Sequence, residues 1–305
     1  MLSIRARLFN GLFRGLRRAG ITQRFVEALD DPVALEPALP GIRRFDEIEP
    51  PRRARRRRRH EQIDVAGGPL HLLTPRSGRQ SRVLLYLHGG GYVIGPSRLH
   101  WTAALALADE GGADLGMLIY PKTPEHDHVA IIAAAVDAYD VLVDRYGADN
   151  IVVGGDSAGG GLTATLLTVL RDTERPQPHA AVLISPWLDV SMSDPAAAAQ
   201  AGTDLILTIE AAIRAGRLYA GERDTRDALI SPVFATTTGL APMHVFVGSE
   251  EIFLPDCRTF VAKAKANGDR ATLRVLAKGQ HVSAIFPTPE GRIARAQMVA
   301  LIDWP

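Results

Sequence analysis

From about residue 80 onward, short apolar runs alternate with longer segments whose apolar residues recur at helical spacing. The short runs predict β-strands and the longer segments predict α-helices. The predicted strands are residues 83–87, 115–120, 151–154, 180–185, 243–247 and 272–276. The predicted helices between them include residues 101–109, 129–146, 162–171 and 257–267. Regular alternation of strand and helix predicts an α/β fold, with a mostly parallel central sheet flanked by helices.

A candidate nucleophile lies in the turn between one predicted strand and the helix that follows it. Residues 154–160 read Gly-Gly-Asp-Ser-Ala-Gly-Gly. The pattern Gly-x-Ser-x-Gly between a strand and a helix is a nucleophile elbow, a strained turn that raises the serine hydroxyl above the sheet. Gly155 and Gly159 suit such a turn, because neighbouring backbone must approach more closely than a Cβ allows. An ordinary strand-to-helix turn would also be rich in small residues, but the strand and helix on either side favour Ser157 as a nucleophile.

A second glycine-rich motif follows the predicted strand 83–87 and reads His88-Gly89-Gly90-Gly91-Tyr92. Consecutive glycines leave backbone N–H groups free to face a cavity, which is what the stabilisation of a tetrahedral oxyanion requires. A His-Gly-Gly-Gly loop supplies such N–H groups in lipases and esterases. Alone, the motif would be explained by a flexible loop. Together with the elbow, it indicates acyl transfer on Ser157.

A serine hydroxyl becomes a nucleophile only when a base removes its proton, and a third group orients that base. In the folds that use this elbow, the chain order is serine, acid, histidine. His179, His244 and His281 follow Ser157. His244 lies inside a predicted strand, and His179 leaves little chain for an acid between it and the serine. His281 follows a predicted strand and a short loop, so it is the predicted base.

The acid is expected just beyond the strand 243–247, where Glu250, Glu251 and Asp256 are the candidates. Position alone does not separate the two glutamates, because successive side chains of an extended segment point to opposite sides. Asp256 begins the next predicted helix, and N-capping explains it adequately.

The composition indicates one large domain. The chain has 305 residues and is 46% hydrophobic, enough for a large core and an accessory element. Its single cysteine, Cys257, excludes an intramolecular disulfide, so a cytoplasmic location is the default expectation. Cys257 has no flanking motif and is expected to be a packed thiol. The segment His126-Asp127-His128 lacks further ligands at suitable spacing, so no metal site is predicted.

The first twenty residues predict an arginine-rich amphipathic helix. Its apolar side chains share one face and are Leu8, Phe9, Leu12, Phe13 and Leu16. The apolar stretch is too interrupted for a signal peptide or a membrane span. The helix could lie on a membrane surface or pack its apolar face over the rest of the protein. Packing is favoured, because Arg5 interrupts the face and the helix is well placed to form part of a lid.

Residues 52–59 contain seven arginines in eight positions. Such a density of positive charge is typical of segments that bind nucleic acid. The formal net charge of the whole chain is only +1, so the remaining residues carry −6 once these seven are subtracted. A nucleic-acid surface needs broader basicity and interleaved aromatic residues. The run therefore predicts a solvated linker or an exposed edge strand, and no nucleic-acid partner is expected.

The chain resembles the bacterial hormone-sensitive lipase family of α/β-hydrolases, which is rich in carboxylesterases. Besides the glycine loop and the elbow, four further stretches carry the resemblance. They are Tyr-Pro-Lys-Thr-Pro-Glu-His at 120–126, Ser-Pro-Trp-Leu-Asp at 185–189, Ser-Pro-Val-Phe at 231–234 and Gly-Gln-His at 279–281. The likeness extends from about residue 60 to the C-terminus.

The resemblance implies an α/β-hydrolase fold, Ser157 as nucleophile and His281 as general base and acid. In one branch of the family the acid segment reads Gly-Ser-x-Glu-x-Leu-Leu-Asp-Asp, and aligning this pattern with residues 248–256 assigns the acid to Glu251. The implied oxyanion hole consists of the backbone N–H groups of Gly90, Gly91 and Ala158. The chain departs from the family in two places. It has glutamate where most members have aspartate, and Tyr-Pro-Lys-Thr-Pro-Glu where Tyr-Arg-Leu-Ala-Pro-Glu is common.

The family also implies a helical cap over the pocket. The resulting domain prediction has four segments: an N-terminal cap segment with the arginine-rich linker at 1–60, the first part of the core at 61–189, a cap insertion at 190–226 and the second part of the core at 227–305. A helix is expected within the insertion, at 205–219.

The predicted function is a cofactor-independent serine carboxylesterase that hydrolyses short to medium acyl esters through an acyl-enzyme. Its expected partner is a small-molecule ester, and the sequence predicts no oligomeric state. An amidase or peptidase with the same triad is an alternative, because leaving-group preference depends on pocket shape. A non-catalytic ligand receptor on this fold is a further alternative, although it would be expected to lose part of the triad.

Overall fold

The computed structural model describes residues 2–18, 27–29 and 32–302. In this part of the chain, eight strands form one sheet in the order β1-β2-β4-β3-β5-β6-β7-β8. The strands are β1 (Arg58–Val65), β2 (Gly68–Pro75), β3 (Val83–Leu87), β4 (Asp114–Leu118), β5 (Ile151–Asp156), β6 (Ala180–Ile184), β7 (Met243–Gly248) and β8 (Ala271–Leu276). β2 is antiparallel to both of its neighbours, and every other pair is parallel. The prediction of a mostly parallel α/β sheet is confirmed.

Helices connect the strands. They are α1 (Ile4–Arg18), α2 (Pro32–Ile42), α3 (Arg52–Arg57), α4 (Arg98–Glu110), α5 (His128–Tyr146), α6 (Ala158–Asp172), α7 (Ala197–Gln200), α8 (Ile209–Ala220), α9 (Leu254–Ala266) and α10 (Pro289–Ile302). Asp127 is the N-cap of α5, where its carboxylate accepts the Val129 N–H at 3.0 Å. Gly147, with φ 77°, follows the last residue of α5.

The core has two layers because successive strand residues face opposite sides of the sheet. Leu85 and Leu87 of β3 pack in one cluster with residues of α5 and α6. Leu84 and Tyr86 of the same strand face the opposite side and pack in a second cluster, with residues of α4 and α10. All residues of β3, β4, β5 and β6 are buried, as expected for parallel strands covered on both faces.

All six predicted strands occur in the structure with ends shifted by at most two residues. β2 was not predicted, and β1 was expected only as the edge-strand alternative for the arginine-rich run. β1 is an edge strand with mixed exposed and half-buried residues, so it lacks the apolar run that marks the central strands. The arginine-rich run divides at this point. Residues 52–57 form the short helix α3 and residues 58–59 begin β1, so the predicted exposed edge strand accounts for only the end of the run.

The N-terminal helix α1 does not have the single apolar face that its sequence predicts. The rings of Phe9 and Phe13 stack on Phe286, with centroid separations of 5.1 and 5.7 Å. Leu8 and Leu12 instead face solvent, with 69% and 57% of their surfaces exposed. The predicted face is therefore divided into a packed part and an exposed part. In the described ranges, none of the helices combines the length and the apolar character needed to cross a membrane.

Candidate active site

The carboxyl ends of the parallel strands lie at one edge of the sheet, and the loops that follow them meet there. Ser157 occupies the turn between β5 and α6, with φ 55° and ψ −121°. Three backbone hydrogen bonds hold this strained conformation: the Ser157 N–H donates to Ile184 O at 2.9 Å, and Ser157 O accepts from Gly161 N at 3.0 Å and Trp187 N at 2.9 Å. A Cβ at Gly159 would overlap the Leu87 carbonyl oxygen, which explains the glycine there.

Ser157, His281 and Glu251 lie in hydrogen-bond contact. The Ser157 Oγ is 2.9 Å from His281 Nε2, and His281 Nδ1 is 2.7 Å from Glu251 Oε2. The histidine and the glutamate are buried, whereas the serine lies at the wall of a cavity. The structure thus brings together the three residues that the sequence singled out as nucleophile, base and acid.

The second carboxylate oxygen of Glu251 is also fully engaged. It accepts hydrogen bonds from Ser185 Oγ at 2.7 Å and from the Gly248 N–H. Ser185 Oγ in turn accepts the Val282 N–H at 3.0 Å. Ser185 therefore links the acid to the loop that carries His281. Sequence reasoning assigned it no role, although it begins one of the stretches that resemble the family.

The electrostatics of the site favour a positively charged imidazole. Burial of the His281 ring opposes its protonation, but the hydrogen bond and charge of Glu251, together with the charges of Asp204 and Asp156, outweigh burial and raise the pKa of His281 above its usual value. The imidazolium that would form when the serine proton is transferred is thereby stabilised.

The other candidate acids lie away from the histidine. Glu250 is partly exposed, and its Oε1 lies 3.1 Å from Ser249 Oγ. Asp256 is 3% exposed, and its Oδ2 has no hydrogen-bond partner among the described residues. The N-capping interpretation of Asp256 is wrong, because Phe253 is the N-cap residue of α9 and no side chain caps the helix. Burial, and then the carboxylates of Asp189 and Asp194, raise the pKa of Asp256 to about 7.

The remaining histidine candidates serve other contacts. His244 lies in β7, where its Nδ1 is 2.9 Å from Thr272 Oγ1 of the adjacent strand. His126 and His128 flank the helix-capping Asp127. Across the described ranges, no three His, Cys, Asp or Glu side chains are grouped so that they could hold a metal ion.

The glycine loop presents backbone donors beside the nucleophile. Gly90 and Gly91 have φ values of 125° and 61°, and both residues line the same cavity as Ser157. A Cβ on Gly90 would overlap the Ile94 carbonyl oxygen. In the part of the chain that the structure describes, the N–H groups of Gly90, Gly91 and Ala158 have no hydrogen-bond partner. These three N–H groups are the ones that the resemblance assigns to the oxyanion hole.

Asp156 couples the elbow to the glycine loop, a role that the sequence analysis missed. Its Oδ1 accepts the Tyr86 hydroxyl at 2.8 Å and the Gly89 N–H at 3.2 Å, and its Oδ2 lies 3.2 Å from His100 Nε2. Because His100 Nδ1 accepts the Ser97 N–H at 2.9 Å, Nε2 must carry the proton that faces Asp156. Burial disfavours the Asp156 carboxylate, but these partners outweigh burial and lower its pKa.

His88, at the start of the glycine loop, is a structural residue. Its ring stacks on Tyr120 with the centroids 4.1 Å apart, and the Tyr120 hydroxyl donates to His88 O at 2.5 Å. Burial lowers the pKa of His88 to about 3, so the ring is neutral at physiological pH. The contact fixes the loop without adding charge.

The cavity at the site measures about 240 Å³. Its walls are mainly apolar: β-sheet loops contribute Trp187, Phe253 and Val282, and the segment after β6 contributes Ile206, Leu207, Ala211, Ala212 and Ala215. Ser157, His281, Gly90 and Gly91 line the cavity, whereas Glu251 and Ala158 lie behind its surface. Three larger depressions on the described surface, of about 340, 450 and 500 Å³, contain none of the three hydrogen-bonded side chains.

The segment that covers the cavity is bound to the loops that carry the acid and the histidine. The Asp204 carboxylate accepts the N–H groups of Ile206 and Leu207 and, at 3.0 Å, the N–H of Ile252, which follows Glu251. The Gln280 side chain, next to His281, accepts the Leu205 N–H at 2.7 Å and donates to Thr203 O at 3.0 Å. Neither contact was predicted from the sequence, because Asp204 belongs to no motif and the Gly-Gln-His stretch at 279–281 gave a role to His281 alone.

Comparison with known proteins agrees with this geometry. A sequence profile described as the α/β-hydrolase fold matches residues 84–285. The chain belongs to the α/β-hydrolase family. An esterase of the bacterial hormone-sensitive lipase family has a similar structure, with a TM-score of 0.75, 31% identity and coverage of 92% of this chain and 97% of that one. The predicted resemblance to that family is confirmed.

Two curated relatives and a second structure extend the comparison. An acetyl-hydrolase of Streptomyces hygroscopicus is 35% identical over 72% of this chain and 75% of its own length. An esterase of Acinetobacter venetianus is 31% identical over 61% of this chain, and the match spans only 62% of that protein. The crystal structure of EstE5 soaked with p-nitrophenyl butyrate has a TM-score of 0.79 and 30% identity, and covers 93% of this chain and 97% of that one. The predicted enzyme class, a carboxylic ester hydrolase, is confirmed at the level of the family.

Proposed function

We propose that this protein is a serine carboxylesterase that hydrolyses short to medium acyl esters through an acyl-enzyme intermediate. The observation that carries the proposal is the hydrogen-bonded series of Ser157, His281 and Glu251, with separations of 2.9 and 2.7 Å, at the wall of an apolar cavity. Nucleophile, base and orienting acid in contact are what covalent acyl transfer requires.

In the proposed acylation step, His281 Nε2 removes the proton of Ser157 as Oγ attacks the ester carbonyl. Glu251 holds His281 with Nδ1–H directed toward its carboxylate, so Nε2 has the lone pair that accepts the proton. The imidazolium then protonates the departing alkoxide, which leaves as the alcohol. The acyl group remains on Ser157 as an ester.

Deacylation repeats the sequence with water as the nucleophile. His281 removes a proton from the water as it attacks the acyl carbonyl, and returns that proton to Ser157 Oγ when the carboxylic acid leaves. In both steps negative charge develops on the carbonyl oxygen. The unpartnered N–H groups of Gly90, Gly91 and Ala158 support the proposal that they stabilise this charge.

The proposed acyl range follows from the size and lining of the cavity. Its volume of about 240 Å³ lies below the range of roughly 300 to 1,000 Å³ that is typical of pockets for drug-sized ligands. Its walls offer apolar contacts from the segment 206–215, so each added methylene gains binding until the cavity is full. Short acyl chains should therefore be turned over best.

We further propose that residues 190–226, with the N-terminal segment, act as a cap over this cavity. Five of the lining residues come from the insertion, and Arg17 of α1 donates to the backbone carbonyl of Asp204 within it. The core would then comprise residues 61–189 and 227–305, although β1 already begins at Arg58. The lone, buried Cys257 supports the proposal of a cytoplasmic location.

The test is hydrolysis of p-nitrophenyl esters of increasing acyl length beside p-nitroanilides with the same acyl groups. The proposal predicts turnover of the short esters, a decline as the chain exceeds the cavity, and little or no turnover of the anilides. Preferential turnover of the anilides would favour an amidase or peptidase. No turnover of either series by the folded protein would favour a ligand receptor and contradict the proposal.

A further inference from the structure

Helix α1 has two apolar faces, and only one of them is covered. Phe9 and Phe13 stack on Phe286, and Ser3 is fixed by hydrogen bonds to Glu290 of α10 at 2.6 and 2.7 Å. The uncovered side chains are spaced four residues apart and are Ile4, Leu8, Leu12 and Leu16. Residues at this spacing form one stripe, which at 1.5 Å per residue is about 18 Å long. The stripe contacts no other described part of the chain closely enough to be buried.

The residues around this stripe are basic. The first 26 residues contain six arginines and no acidic residue, in a chain whose net charge is only +1. Arg5, Arg7, Arg14 and Arg18 of α1 are exposed, and none forms an ion pair with another described residue. An apolar stripe flanked by arginines matches the cross-section of an anionic bilayer surface, where acyl chains lie below the phosphate groups.

A second copy of the chain fits this surface less well. Two stripes packed face to face would bring the arginines of both helices together, and α1 offers no carboxylate to neutralise them. Like charges held in contact oppose association, whereas an anionic surface attracts them. The charge pattern therefore selects the lipid surface over self-association.

Helix α1 is also attached to segments that line the candidate active site. Arg17 of α1 donates to the carbonyl oxygens of Asp204 and Ala201, and Ile206, two residues beyond Asp204, lines the cavity. On the other side, Phe286 lies four residues beyond the cavity-lining Val282. A membrane held by α1 would place the cavity next to the layer in which apolar esters dissolve.

We propose that α1 docks the protein on anionic phospholipid membranes through the stripe Ile4, Leu8, Leu12 and Leu16 and the surrounding arginines. The inference does not depend on the proposed esterase activity, because it concerns binding alone. Both wild type and Ser157→Ala should bind, and a failure of binding is thereby distinguishable from a failure of hydrolysis.

The test is flotation of the full chain with vesicles made of equal parts phosphatidylcholine and phosphatidylglycerol, or of phosphatidylcholine alone. We expect partitioning at least about tenfold stronger on the anionic vesicles, falling as salt is added. The double variant Leu8→Asn/Leu12→Asn should lose at least about tenfold of this binding, because two exposed leucines no longer enter the bilayer. Phe9 and Phe13 remain, so circular dichroism should show an intact fold.

The matched control is Val129→Asn, which removes an equally exposed apolar side chain, 60% exposed, from α5. It should bind vesicles like wild type. Undiminished binding by Leu8→Asn/Leu12→Asn, equal binding to both lipid compositions, or no binding to anionic vesicles would each overturn the proposal. So would light scattering that shows a dimer in wild type and a monomer in Leu8→Asn/Leu12→Asn, because the stripe would then be covered by a second copy.

Discussion

The two sides of the candidate active site are held in place by different physical means. On the nucleophile side, backbone segments approach so closely that glycine is required: a Cβ on Gly159 or Gly90 would overlap a carbonyl oxygen. On the acid and histidine side, side-chain hydrogen bonds hold the loops. Glu251 is bound by Ser185 and Gly248, and Gln280 and Asp204 attach the covering segment. The contrast is one of emphasis, because Asp156 adds hydrogen bonds to the first side and a Cβ on Gly248 would overlap the Gly279 carbonyl oxygen on the second. Close glycine contacts predominate around the nucleophile, and polar contacts of side chains predominate around the histidine.

This difference predicts how each side responds to substitution. An added Cβ on the nucleophile side must displace backbone, which disrupts the turn itself. A removed partner on the histidine side leaves the fold in place but loosens the imidazole or changes its pKa. The second side should therefore tolerate substitution structurally while losing rate in graded steps.

The largest expected effect is on the nucleophile. Ser157→Ala removes the attacking oxygen without adding volume, so the fold should survive while kcat on a short ester falls by about 10⁴- to 10⁶-fold. Activity is to be compared with that of wild type after folding is checked by circular dichroism. A folded variant that retains more than about one percent of wild-type activity would show that Ser157 is not the nucleophile.

Glu251→Gln should have the next largest effect, because the amide can direct an N–H toward the ring and favour the wrong tautomer. We expect kcat to fall by roughly 10²- to 10⁴-fold, with a much smaller rise in KM. The neutral imidazole is the active base, and Glu251 raises the pKa of His281. Loss of the charge should therefore lower that pKa and move the acid limb of the kcat/KM profile to lower pH.

The matched control for this prediction is Glu250→Gln, which changes the adjacent and partly exposed glutamate. It should stay within about tenfold of wild type, since its loss costs on the order of 1 kcal/mol or less. Collapse of kcat in Glu250→Gln beside a near-normal Glu251→Gln would transfer the orienting role to Glu250.

Asp204→Asn should lower the rate less than Glu251→Gln does. It should move the acid limb of the kcat/KM profile in the same direction. The asparagine retains the shape but loses one acceptor for the N–H groups of the covering segment and the acid loop, so kcat should fall by about tenfold. Asp204 also contributes to the raised pKa of His281, so the acid limb should again move to lower pH. A kcat/KM profile with an unmoved acid limb would show that Asp204 acts on the covering segment alone.

The smallest effect on activity is expected for Asp256→Asn, which should remain within about tenfold of wild type because Asp256 lies away from His281. The main expected effect of Asp256→Asn is on the stability of the fold. Because the pKa of Asp256 is raised to about 7, the folded state favours the neutral acid, and this contribution is present at low pH and lost as pH rises through about 7.

An asparagine is neutral at every pH, so Asp256→Asn should become more stable than wild type as pH rises from roughly 4 to 8. The difference should reach on the order of 1 kcal/mol or more at the upper end. Thermal unfolding of both proteins across this range measures it. Parallel curves would mean that Asp256 is ionised without penalty in the folded protein.

The same contrast explains which features the sequence predicts. Close backbone approach restricts Gly90, Gly155 and Gly159 to glycine, and a positive φ favours glycine at Gly91, so these positions form motifs that are visible in one sequence. The central strands are equally visible because they are apolar throughout. The elbow and the glycine loop of the nucleophile side could therefore be predicted, whereas the hydrogen bonds of Asp156 that join them could not.

Contacts made by side-chain hydrogen bonds are harder to predict from the sequence, because many polar residues can supply a donor or an acceptor. Ser185 and Asp204 contact the acid and histidine loops, and Gln280 of the histidine loop contacts the covering segment. These contacts span 48 to 97 residues of sequence, and nothing in the local sequence of the three residues indicates their partners. The burial of Asp256 and the division of the α1 face likewise depend on neighbours distant in the chain. Most of the edge strand β1 was missed because half-buried strands next to solvent lack an apolar run.

The central claim is that Ser157 carries the acyl group during turnover, and covalent labelling tests it most directly. The protein is treated with a fluorophosphonate that mimics the tetrahedral intermediate, and the adduct is located by mass spectrometry of its peptides. The account predicts one adduct per chain, on Ser157, with loss of ester hydrolysis in proportion and no labelling of Ser157→Ala. An adduct on another residue, such as the neighbouring Ser185, or undiminished labelling of folded Ser157→Ala, would contradict it.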